Sequence, residues 1–79
     1  MALSVAGIDK VLGKVLANWN GGDRTMIPGT KHTIRAAIVA VDADLDVSHT
    51  SSSSRLLGAG YLEEHIKDIE SCLTEERGK

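Results

Sequence analysis

The sequence has 79 residues, of which 42% are hydrophobic and 25% are charged, and its formal net charge is −2. This length and composition predict one folded domain over residues 1–79 and exclude a multidomain enzyme and a disordered chain. The single cysteine, Cys72, excludes an intramolecular disulfide and a paired-cysteine metal motif. Because the sequence shows no basic leader and no apolar run of membrane length, we expect a soluble, intracellular protein.

Charge is divided unevenly along the chain. Residues 1–40 carry a net charge of +3, whereas residues 41–79 carry a net charge of −5. Such a division favours contacts between copies or docking onto a charged partner. The simpler interpretation, which we prefer, is that the two halves neutralise each other within one fold.

The first predicted element is an amphipathic helix over residues 4–19, where large apolar side chains recur with a period of 3.6 residues. Ser4 is its predicted N-cap, and Asn20 with the two following glycines ends it. The other two predicted segments could cover so wide an apolar stripe only by enclosing this helix almost fully. We therefore predict that another protein contacts the stripe. The predicted contact residues lie on this stripe and in the next loop: Val5, Ile8, Leu12, Leu16, Trp19, Met26 and Ile27.

Residues 20–32 are predicted as a loop, with a type II turn at Pro28-Gly29. Arg24, Lys31 and Arg35 surround the end of this loop and the start of the next helix, where backbone amides attract phosphate. The acidic net charge and the absence of aromatic residues in the loop count against a nucleic-acid site. Nucleic-acid binding through these three cations is therefore the alternative function.

The second segment is compatible with two structures. A strand over residues 34–47 accounts for alternating apolar residues, including Val39 and Val47, which a helix with one apolar stripe leaves out. A strand here would have no partner in the chain, so we prefer a helix over residues 33–46 and keep an α+β fold as the alternative. The stripe that supports the helix consists of Ile34, Ala37, Ile38, Val41 and Leu45.

The last part of the chain contains one predicted loop and one predicted helix. Residues 48–55 are rich in serine, which competes for backbone hydrogen bonds, and predict a loop. Residues 60–76 show the helical period, and Gly58 and Gly60 predict a change of direction just before them. The predicted architecture is therefore an all-α domain of three helices.

Asp42, Asp44 and Asp46 have the spacing of the first three ligands of a calcium-binding loop. The glycine and the glutamate that such a loop requires are replaced by Val47 and Ser53. We therefore interpret the three aspartates as a solvated acidic face.

Tyr61, His65, Asp68 and Cys72 share one face of the last predicted helix, and a histidine, a cysteine and a carboxylate can bind a metal or activate a thiolate. One helix supplies too few soft ligands for a closed zinc site, and 79 residues leave little room for a shaped catalytic pocket. We therefore predict a polar helix face or a buried cysteine, and we predict no metal, cofactor or catalytic residue.

These observations predict a small structural or assembly protein without enzymatic activity. It would act by self-association or by packing onto a larger particle, for example as a virion, connector or scaffold component. Undersized domains commonly complete their cores by such contacts.

Overall fold

The fold is all-α in a computed structural model that describes residues 2–21, 29–47 and 51–79. None of the helices in these ranges is both long and apolar enough to cross a bilayer. The all-α prediction is confirmed, and the alternative strand over residues 34–47 is wrong, because this stretch is helical as far as Asp46. The helices are α1 (Val5–Gly21), α2 (Lys31–Asp46), α3 (Ser51–Gly58) and α4 (Glu63–Arg77).

Helix α3 was not expected, since the predicted loop 48–55 contains most of it and the predicted count of three helices is one too low. Its first turn is held by α2. The Ser52 amide donates to Asp44 Oδ2 at 2.7 Å, and the Ser52 hydroxyl donates to the Ala40 carbonyl at 3.1 Å. Leu56 then packs into the core. These tertiary contacts outweigh the weak helix propensity of serine.

The starts of α1 and α2 are capped by hydroxyl side chains. Ser4 Oγ accepts from the Gly7 amide at 3.1 Å, which confirms the predicted N-cap of α1. Thr30 caps α2 by accepting from the Thr33 amide. The chain enters this cap through Gly29, whose φ of +85° is readily adopted only by glycine.

The core lies between α1, α2 and α4, with α3 closing one end of it. The helical stripe predicted for α2 points into this core, and the last residue of that stripe, Leu45, is partly buried at its edge. The core residues come from all four helices and from Tyr61 in the α3–α4 connection: Ile8, Val11, Leu12, Val15, Trp19, Ile34, Ala37, Ile38, Val41, Leu56, Tyr61, Ile66, Ile69, Cys72 and Leu73.

The chain changes direction between α3 and α4, as the two glycines predict. Helix α3 ends at Gly58, and Gly60 follows with a φ of +101°. The side chain of His65 caps α4, because its Nδ1 accepts from the Leu62 amide at 3.0 Å. Helix α4 therefore begins at Glu63, three residues later than the sequence predicts.

Candidate protein interface

The predicted partner surface on α1 is largely used inside the chain. Ile8, Leu12 and Trp19 are at most 4% exposed, because α2 and α4 pack on this side of α1. A partner could reach these three side chains only if the helices separated. In the described structure these three side chains therefore belong to the core.

The other residues of that predicted surface are placed differently from one another. Leu16 is partly buried at the edge of the core, and Val5 is 69% exposed at the start of α1. Met26 and Ile27 lie outside the described residues. Val5 is thus the one member that the described structure leaves clearly on the surface.

The polar face predicted on α4 surrounds Trp19. The centroid of the indole ring lies 4.6 Å from that of the His65 ring and 6.5 Å from that of the Tyr61 ring. The indole Nε1 donates to Asp68 Oδ2 at 2.9 Å. These side chains therefore hold the aromatic centre of the core in place. Within the described ranges, no three histidine, cysteine, aspartate or glutamate residues are grouped as metal binding requires.

Cys72 lies on the same face and is buried. Burial, followed by the negative charges of Asp68 and Glu75, raises the pKa of the Cys72 thiol above its ordinary value of 9.0. A nucleophilic cysteine needs a lowered pKa, because the thiolate is the reactive form. At neutral pH this thiol is protonated and acts as a small apolar core residue.

Raising the pH above about 9 is expected to destabilise the wild-type protein more steeply than a Cys72→Ala variant. Because the folded pKa of Cys72 is raised, its ionisation in the unfolded chain comes first and pulls the protein toward unfolding. This stability is fully present below pH 9.0 and is lost as the pH rises through the folded pKa.

Urea midpoints from about pH 7 to about pH 10.5 measure this effect. Tyr61, whose pKa burial raises above 10.0, is present in both proteins, so the difference between the two slopes isolates the thiol. Equal slopes would contradict the burial of Cys72.

The three aspartates of α2 do not form the solvated face that the sequence predicts. Asp42 is only 3% exposed, its Oδ1 pairs with Arg77 Nη1 at 2.6 Å, and its Oδ2 accepts from the Leu3 amide at 3.0 Å. Asp46 meets the other nitrogen of Arg77 at 3.3 Å, while Asp44 caps α3. They lie on a helix and point to different neighbours, so one cation could not be held by all three.

The predicted basic cluster is brought together only in part. Lys31 and Arg35 both lie at the start of α2, and Arg35 Nε pairs with Asp9 Oδ1 of α1 at 3.1 Å. Arg24 lies outside the described residues. Nucleic-acid binding through these cations stays a prediction from the sequence.

Helix α2 has a second apolar face on the side opposite its core stripe. Val39 is 44% exposed and Val47, which caps the helix, is 67% exposed. At 3.6 residues per turn these valines and three alanines fall within about a third of the circumference. We call this surface the outer face; it consists of Ala36, Val39, Ala40, Ala43 and Val47.

An open groove of about 400 Å³ between α2 and α3 continues the outer face. Ala36 and Ala40 belong to both surfaces, and Leu56 and Ala59 form the wall on the side of α3. The alanines leave room for another chain to come close to the α2 backbone.

Charged side chains border the outer face in a regular pattern. On the edge next to α1 and α4, Arg35 stands near the start of α2 and Asp46 near its end. On the edge next to α3, Arg55 lines the groove beside the first half of α2, and Asp44 lies near the end. Of these four residues, the cations thus lie toward the start of α2 and the anions toward its end, while Asp9 pairs with Arg35 and Arg77 pairs with Asp46 on the first edge.

The sequence contains the signal for the outer face, in residues that also fit the period of a strand. Val39 and Val47 do not fit the core stripe of α2, and their alternation with polar residues resembles a strand. Two apolar stripes on opposite sides of one helix produce the same pattern.

No protein-family model matches this chain, and comparisons with curated proteins and with solved structures give no match.

Proposed function

We propose that this is a small structural or assembly protein without enzymatic activity, which acts by packing its outer face against a further protein surface. The observation that carries the proposal is the second apolar face of α2, opposite the core. A helix that is apolar on both sides is typical of one buried on both sides. Within residues 2–21, 29–47 and 51–79, only one side of α2 is covered.

The chemistry of the outer face suits packing between proteins. Val39 and Val47 supply apolar area whose removal from water contributes about 25 cal/mol per Å². The alanines between them let a partner approach closely, and the bordering charges supply a polar rim. The groove beside Leu56 offers a depression in which a partner side chain can anchor.

Chain length and cysteine chemistry support a setting for this role. A chain of 79 residues with a surface of this kind suits a component of a larger particle, such as a virion, connector or scaffold. The protonated Cys72 thiol suits a reducing, intracellular compartment.

A Val39→Asp substitution is expected to abolish or strongly weaken self-association. It places a charge within the proposed contact, where desolvation is costly. The dissociation constant is expected to rise at least about tenfold. Size-exclusion chromatography with light scattering over a concentration series measures the mass of each protein. We expect the wild-type mass to rise above that of the monomer with concentration.

The matched control is Val5→Asp, which makes the same change at an exposed helical valine outside the outer face. This variant should associate like the wild type, and circular dichroism should show both variants folded. If Val5→Asp dissociates the oligomer and Val39→Asp does not, the contact lies on α1, as the sequence predicts. A wild-type monomer at every concentration would overturn the proposal of self-association.

A further inference from the structure

We infer that the outer face binds the same face of a second copy, with the two α2 helices antiparallel. The inference rests on the proposed function and names its partner. It is carried by the charges that border the outer face. These charges are complementary in one arrangement of two copies and opposed in the other.

Nearest the outer face, each edge carries one cation and one anion; on the edge next to α1 and α4, both are also paired within the chain, Arg35 with Asp9 and Asp46 with Arg77. Arg35 and Asp46 mark the edge next to α1 and α4, and Arg55 and Asp44 mark the edge next to α3. The cations lie toward the start of α2 and the anions toward its end.

In an antiparallel pair, a two-fold axis in the interface crosses both helices at right angles. A rotation of 180° about this axis reverses the direction of α2. Each edge of one copy then lies against the same edge of the second copy. Arg35 then faces Asp46 of the second copy, and Arg55 faces Asp44 of the second copy. Symmetry repeats both contacts, so all four places along the rim bring opposite charges together.

A parallel pair has the opposite electrostatics. Its two-fold axis runs along the helices and exchanges the edges, so Arg35 would meet Arg55 and Asp44 would meet Asp46. Like charges would then face each other at every place along the rim. The helix dipoles also favour the antiparallel pair, because each negative helix end lies beside a positive one.

The ion pairs within the chain are compatible with this arrangement. Arg35 and Asp9 are both exposed at their side chains, Asp46 shares Arg77 with Asp42, and Asp44 and Asp46 each have a further interaction within the chain. A guanidinium has five donor hydrogens and a carboxylate accepts several, so each group can add a partner without losing its present one. Arg55 makes no ion pair with the described part of the chain and is available to a second copy.

Disulfide trapping distinguishes the two arrangements. In a Cys72→Ala background, Ala36→Cys and Val47→Cys place thiols at opposite ends of the outer face. In an antiparallel pair, each introduced thiol lies more than about 10 Å from the same residue of the second chain, which is beyond disulfide reach. Residue 36 of one chain instead lies near residue 47 of the other. We therefore expect no crosslink in either variant alone, and an efficient crosslink when the two are mixed, identified by intact mass.

Reversing one rim charge gives a second readout. Arg55→Glu would face Asp44 of the second copy, and we expect association to weaken about three- to tenfold. Lys67→Glu is the control, because it makes the same charge change on an exposed position of α4. Equal effects of the two variants would overturn the proposed rim contacts.

The outcomes separate this inference from the proposed function. Self-crosslinking of each single-cysteine variant, without a mixed product, would overturn the antiparallel pair and leave self-association standing. An oligomer sensitive to Val39→Asp that gives no mixed crosslink would also overturn the inference alone. A wild-type protein that stays monomeric would overturn the inference together with self-association.

Discussion

Replacing Trp19 with alanine is expected to leave most of the protein unfolded at 37 °C. Trp19 is 1% exposed, and its ring packs against His65 and Tyr61. Truncating a buried tryptophan costs about 3–5 kcal/mol, which is comparable to the whole stability that a core of this size supplies. The indole also donates to Asp68, so the substitution removes a hydrogen bond as well as packing.

Thermal unfolding followed by far-ultraviolet circular dichroism measures this effect, because the variant lacks the single tryptophan as a fluorescent probe. Trp19→Phe is the control. It keeps an aromatic ring in the core and loses the bond to Asp68, so its cost is expected to be about 1–2 kcal/mol. If Trp19→Ala melted within a few degrees of the wild type, Trp19 would face outward, as the predicted α1 surface requires.

Helices α1 and α4 could be predicted from the sequence because each keeps one apolar stripe in the helical period. Ser4 also marks the start of α1 with a side chain whose capping chemistry is local. Local signals of this kind need no knowledge of the rest of the fold.

Helix α3 depends on contacts with α2 that the composition of α3 itself does not indicate. Its start uses the Asp44 carboxylate and the Ala40 carbonyl, both on α2. A run of serines does not indicate that such acceptors stand opposite it. The same holds for Asp42, whose burial depends on Arg77 of α4 and on Leu3 near the start of the chain.

Most of the predicted α1 surface is buried for a related reason. The apolar stripe of α1 is visible in the sequence, but which helices cover it is decided by the packing of α2 and α4. The outer face of α2 was visible only as residues that fail to fit one stripe. An ambiguous period in a short segment can therefore indicate a helix with two apolar faces as well as a strand.

Asp42→Ala is expected to lower the free energy of unfolding by about 2–3 kcal/mol, although it removes a negative charge from an acidic protein. The carboxylate is 3% exposed and joins three parts of the fold. It accepts from the Leu3 amide ahead of α1, lies on α2, and pairs at 2.6 Å with Arg77 at the end of α4. Its loss leaves the Leu3 amide without this acceptor and weakens the attachment of the end of α4, where Arg77 keeps its contact with Asp46.

The matched control for this prediction is Asp9→Ala, which breaks an aspartate–arginine pair of similar geometry on the surface. The Asp9 side chain is 59% exposed, and such a pair is expected to contribute less than about 1 kcal/mol. Urea unfolding of both variants compares the two pairs directly. Equal costs would contradict the burial of Asp42. A large cost for Asp42 alone would show that the acidic end of α2 is anchored to α4 through Arg77.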